Sequence, residues 1–147
     1  MNPTPPGWPR ISSAIFYLDP AAAIDWLCKA FDFKVRIKVE GEGLMMVAGV
    51  GPKYDHRAKK APWKAKCASP AMLDGQMTQN LCIHVEDADA HCARARAAGA
   101  TICYEPETTD YGADYWADRS YGAIDPEGHV WWFLQRVRTG KLGGGSA

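Results

Sequence analysis

The chain has 147 residues, 47% of them hydrophobic and 23% charged, enough to bury the core of one compact domain. Its 17 Lys and Arg balance 17 Asp and Glu, so no net charge draws in nucleic acid or an anionic membrane, and partners have to be recognised locally. No apolar run approaches the ~18 residues that span a bilayer, and "MNPTPPGWPR" lacks the apolar middle of a secretion signal, so a cytoplasmic protein is expected.

Residues 1–10 read as an extended proline-rich arm, 11–138 as the folded domain, and 139–147 as a flexible tail. "ISSAIFYL" (11–18) is rich in strand formers. Asp19 then supplies a helix N-cap and Pro20 the first helical position. The helix "AAAIDWLCKAF" places Ile24, Leu27, Cys28 and Phe31 on one face. "FKVRIKV" (33–39) alternates as a half-buried strand, "EGEG" turns, and "LMMVAGV" (44–50) reads as the next strand.

From 51 to 78 the pattern weakens into a loop carrying Lys53, Arg57, Lys59, Lys60, Lys64 and Lys66 among Tyr54 and Trp63. Such a loop is either a solvated connection or a flap that brings positive charge over a site. A second unit follows over 79–137: the strand "NLCIHV", Asp87 as cap of the helix "ADAHCARARAA", Gly99 as its stop, and the strand "ATICYE". "PETTDYGADYWA" (106–117) reads as a loop, "DRSYGAI" as a strand, "DPEG" as a turn, and "HVWWFLQR" as the last strand. Laid over the first unit (11–50) with an offset of roughly 67 residues, strand matches strand and cap matches cap. The five cysteines, Cys28, Cys67, Cys82, Cys92 and Cys103, have no C-x-x-C spacing and are expected as reduced, mostly buried thiols.

This duplication, with "YLDPAAAIDWLCKAF", "VEDADAHCARARAAGA" and "DRSYGAIDPEGHVWWFLQ", resembles the vicinal oxygen chelate superfamily, which contains glyoxalase I, bleomycin and fosfomycin resistance proteins and extradiol dioxygenases. The resemblance implies an α+β fold of two βαβββ units, whose curled mixed sheets enclose a cleft for a ligand and often a metal. It also implies a homodimer. Between Val39 and Leu44 there is no room for one expected strand, so the first unit is short by one.

Candidate site residues follow from strand parity and from this resemblance. In 80–86, Leu81, Ile83 and Val85 form the face expected against the helices, and Asn80, Cys82, His84 and Glu86 the face toward the cleft. The resemblance maps metal ligands near Ser13, in the "LMMVAGV" strand, at Asn80 and at Trp132. Where the family carries histidine or glutamate, these positions offer no strong donor set, so no metal or other cofactor is expected. Neighbours on a strand point to opposite faces. Trp131 and Phe133 are thus assigned to the helices and Trp132 either to the cleft, as an aromatic platform, or to core filling.

Trp116, Arg119 and Tyr121, from the aromatic segment "DYGADYWADRSY", and Tyr17 from the first strand complete the ligand-binding candidates; Arg119 and Tyr121 are assigned to the cleft as a pair. His84 is open between a structural hydrogen-bonded residue and a catalytic acid/base. His56 and His91 read as loop and helix-surface residues, and His129 follows the turn. The expected function is metal-independent binding of an aromatic or amphiphilic small molecule. The alternative is an enzyme of the same fold, a lyase, isomerase or dioxygenase, acting through His84 or a metal site unlike the family's.

Overall fold

The computed structural model describes residues 13–35 and 67–141. The expected arm at 1–10, nearly all of the strands "FKVRIKV" and "LMMVAGV", the loop cations of 51–66 with His56, and the end of the tail lie outside the described residues.

Helix α1 (Pro20–Phe31) starts where its capping chemistry says it should. Asp19 Oδ1 accepts from the amides of Ala21 at 3.2 Å and Ala22 at 3.1 Å, and Pro20 holds the first position, where no amide donor is needed. Ile24, Leu27 and Phe31, one helical repeat apart, are buried against the sheet side of the molecule. Residues 67–80 contain one 3₁₀ turn, Pro70–Met72, capped by Ser69.

The second unit is present as expected from the sequence. Strand β1 (Leu81–His84) leads through α2 (Ala88–Ala97) to β2 (Thr101–Asp110), β3 (Trp116–Ile124) and β4 (Val130–Thr139). The sheet order is β1-β4-β3-β2, with β1 parallel to β4 and the other pairs antiparallel. The parallel pair requires a crossover, which α2 and the following strands supply. Asp87 caps α2 through Ala90 N at 2.9 Å, and Gly99 ends it at φ +92°, a conformation that costs a residue without Cβ nothing. The buried face of α2 is Ala88, Cys92 and Ala95, small side chains that let the helix lie close to the sheet. Trp26 Nε1 donates to Ala98 O at 2.9 Å and ties α1 to the end of α2.

The core is an aromatic stack between helices and sheet. Phe31 packs on Phe133 at 4.7 Å and Trp131 at 5.6 Å between ring centroids, and Tyr121 lies on Phe133 at 5.0 Å. Trp131 and Phe133 therefore face the helices, as strand parity requires.

Beside this core, the "DPEG" turn is a buried polar hub. Asp125 Oδ2 accepts from Tyr17 Oη at 2.5 Å and Trp131 Nε1 at 3.1 Å, while Oδ1 accepts from the amides of Glu127 and His129, both at 3.0 Å. Glu127 reaches the other way and accepts from the amides of Leu18 and Asp19 and from Ser69 Oγ. One turn thus fastens the entry to α1 and the 3₁₀ segment to β4.

Three expectations about local structure change. Residues 13–18 hold only an isolated bridge at Ile15 instead of a continuous strand. The segment 106–117 is mostly not loop: β2 runs to Asp110 and β3 begins at Trp116, leaving a short hairpin turn, because cross-strand pairing to β3 outweighs the turn-like composition "TTDYGAD". Among the cysteines only Cys92 is buried; Cys82 and Cys103 are exposed because both stand on the sheet face turned away from the helices.

Candidate functional site

Cross-strand register sorts the side chains of the sheet into two faces. On the helix side lie Leu81, Trp131, Ala123 and Ile102 in one row, and Ile83, Phe133 and Tyr121 in the next. On the far face, paired residues form a row Cys82, Trp132, Gly122, Tyr104, followed by His84, Leu134, Ser120, Glu107.

The first far-face row is built around a missing side chain. A Cβ on Gly122 would stand 2.9 Å from Cys103 Sγ, 3.3 Å from Tyr104 Cβ and 3.5 Å from the Trp132 ring. Without it, the Trp132 indole extends over the glycine toward Tyr104, with ring centroids 5.5 Å apart and planes at 52°. Such a tilted pair is a favoured aromatic geometry and offers broad, rigid contact area. Tyr104 itself is 37% exposed, and its hydroxyl donates to Glu107 Oε2 at 2.5 Å. That bond, more than any other influence, holds the Tyr104 hydroxyl above its ordinary pKa, so it remains a donor.

Tyr104 reaches this face through an irregularity. Between Ile102 and Tyr104 the register slips, so that Cys103 and Tyr104 together oppose Gly122. A second slip between Tyr104 and Glu107, at Pro106, which has no amide to donate, brings Glu107 opposite Ser120. Simple alternation from Ile102 puts Tyr104 against the helices, and the reading of 106–117 as a loop leaves Glu107 without a face, which is why neither is among the sequence-derived candidates. A proline within a strand pattern was the available signal.

At the hairpin end, Trp116 contacts Tyr111 at 5.4 Å and Tyr115 at 6.1 Å, and the Arg136 guanidinium lies 5.2 Å from its ring centroid. Arg136 is also ion-paired with the buried Asp118. Arg138 pairs with Asp110.

The sequence-derived candidates divide sharply. Cys82, His84 and Trp132 share the far face, and Asn80 lies just before β1. Asn80 also lines an open groove of about 390 Å³ between the 14–16 segment, the 67–80 segment and the starts of β1 and β4. Ser13 stands half-buried at the beginning of the described N-terminal segment. Among the described residues no hydrogen bond or ion pair orients His84.

Three assignments are corrected. Tyr121 is fully buried under α2, where its hydroxyl meets His91 Nδ1 at 2.5 Å; burial pushes its pKa up. Arg119 follows the same parity and makes a two-point pair with Asp89 on α2, at 2.5 and 2.6 Å. The physical reason is that β3 starts at Trp116, and its register with β4 pairs Tyr121 with Phe133, a core residue. Tyr17 is buried too, committed to Asp125, with its pKa raised first by desolvation and then by that carboxylate.

His91 is likewise not a surface residue. It is half-buried between Phe31 and Phe133, and its Nε2 lies 3.1 Å from Phe31 O. A carbonyl only accepts, so Nε2 carries the proton and Nδ1 accepts from Tyr121. Burial is the main cause that lowers the His91 pKa. His129 donates its Nε2–H to Phe16 O at 2.9 Å on the same logic.

A metal of the family's kind does not fit the described positions. Trp132 presents carbon surface and an indole N–H, neither of which is a ligand, and its row neighbours Gly122 and Tyr104 supply no carboxylate or imidazole. Among the described residues, no group of three His, Cys, Asp or Glu converges as a metal site does.

Comparison with known proteins agrees with this architecture. Among curated proteins no sequence matches significantly. TioX from Micromonospora sp. ML1 is 26% identical, with a TM-score of 0.57 over 84% of this chain and 95% of its own. A glyoxalase/bleomycin resistance protein/dioxygenase family enzyme from Burkholderia phytofirmans PsJN shares the fold at 20% identity and TM-score 0.61, covering 83% of this chain and 94% of its own. TnmS3, an antibiotic binding protein from Streptomyces sp. CB03234, shares it at 19% identity and TM-score 0.57, over 88% and 98% of the two chains. The family profile matches residues 11–133, and the chain belongs to the Glyoxalase/Bleomycin resistance protein/Dioxygenase superfamily.

Proposed function

We propose that this protein binds a flat aromatic or amphiphilic small molecule on the far face of its sheet, without a metal. The observation that carries the reading is the Trp132–Tyr104 pair laid over Gly122, a partly exposed aromatic surface on the sheet face turned away from the helices. The shared fold with an antibiotic binding protein, TnmS3, supports it. No observation on the described residues favours an enzymatic reading, since nothing positions His84 for proton transfer.

The test is a titration with acridone, a neutral tricyclic compound, followed by intrinsic fluorescence in buffer containing a chelator. Saturable quenching is expected. Trp132→Leu should weaken binding roughly fivefold, the equivalent of about 1 kcal/mol of lost stacking. Binding that depends on an added cation, or that is indifferent to Trp132→Leu, defeats the proposal.

A further inference from the structure

The charges around the aromatic pair are not balanced among the described residues. The two arginines that leave the far end of β4 are committed, Arg136 to Asp118 and Arg138 to Asp110. Arg96 and Arg119 pair with Glu105 and Asp89, and Arg94 lies near Asp32, all toward the helices. What is left on the far face is Glu107, with Glu86 beyond the end of β1. Glu107 has one partner there, the Tyr104 hydroxyl on Oε2; Oε1 accepts from none of the described residues.

We infer that the ligand of this surface is a cationic aromatic compound, a planar ring system with a protonated amine, whose charge sits between Glu107 and the ring faces of Tyr104 and Trp132. This rests on the proposed binding function and specifies its ligand class. The geometry suits a cation twice over. Aromatic faces attract positive charge through the ring quadrupole. A carboxylate anchored by the phenol on one oxygen presents the other to an N–H donor without having to be ordered first. An anionic ligand would meet Glu107 as a like charge, and nothing on the row Cys82, Trp132, Gly122, Tyr104 carries a compensating cation.

Three tricyclic probes of nearly equal shape separate the possibilities: 9-aminoacridine, a cation at neutral pH; acridone, neutral; and 9-anthracenecarboxylate, an anion. The full chain is titrated with each, in wild type and in Glu107→Gln. The cation should bind about tenfold more tightly than acridone, and the anion most weakly. In Glu107→Gln the cation's advantage should shrink to within about twofold while acridone binds as before, which also shows the variant to be folded. Raising salt should erode the same advantage, since Glu107 is exposed. Equal binding of all three, dependent on Trp132, overturns the cationic assignment and leaves the binding function standing. So does a cation preference that survives Glu107→Gln. Failure of all three to bind removes both.

Discussion

Tyr17→Phe tests whether the buried hub at Asp125 holds the molecule together. Tyr17 is 1% exposed, and its hydroxyl lies 2.5 Å from Asp125 Oδ2. Phenylalanine keeps the ring, and so its packing against His129 at 4.5 Å, and removes only the donor. Asp125 is not orphaned, because Trp131 Nε1 and the amides of Glu127 and His129 remain. The loss is therefore one hydrogen bond to a carboxylate, about 2 kcal/mol, without a cavity term. For a chain of this size that lowers Tm by roughly 4–8 °C. In urea, with m unchanged at about 2 kcal/mol/M, the midpoint falls by about 1 M.

A second arm of the same experiment uses pH. Burial and the Asp125 charge raise the Tyr17 pKa in the folded state above its unfolded value. The contribution is thus full below the unfolded tyrosine value, about 10, and declines as pH rises above it, when only the unfolded chain gives up the proton. The gap between wild type and Tyr17→Phe should narrow above that pH. A midpoint shift below about 0.2 M at neutral pH, or a gap that does not change into the alkaline range, would refute the reasoning.

Two further predictions concern the helix side and the far face. His91 has its pKa lowered in the folded state, by burial first, with Arg94 lowering and Asp32 raising it, so its contribution is full above the unfolded value of about 6.5 and is lost as pH falls below it. His91→Gln should cost about 1–2 kcal/mol at pH 7.5 in chemical denaturation, and the gap to wild type should close on acidification toward pH 5; a constant gap contradicts the burial argument. Gly122→Val should leave circular dichroism intact, since strand backbone accepts valine, at an overpacking cost of about 1–3 kcal/mol. It should nevertheless weaken acridone binding roughly fivefold, as Trp132→Leu does, because the added methyl groups take the space over which the Trp132 indole extends. Unchanged affinity would show that the indole does not need the space over Gly122.

What the sequence determined by itself is local or periodic. The caps at Asp19 and Asp87, the stop at Gly99, the faces of β1 and the opposed environments of Trp131 and Trp132 all follow from rules that operate within a few residues, and the structure bears them out. The family, too, was legible from the order of those signals. What only the tertiary structure decided depends on register. The first slip in β2 carries Tyr104 to the far face, the second returns Glu107 to it, and the pairing of β3 with β4 turns Arg119 and Tyr121 toward α2, because a one-residue shift exchanges the faces of a strand. Nothing in the immediate neighbourhood of Tyr17 or His91 announces a partner 108 or 30 residues away. Burial of a polar side chain is a property of the surface that closes over it, and that surface exists only once the helices have packed on the sheet.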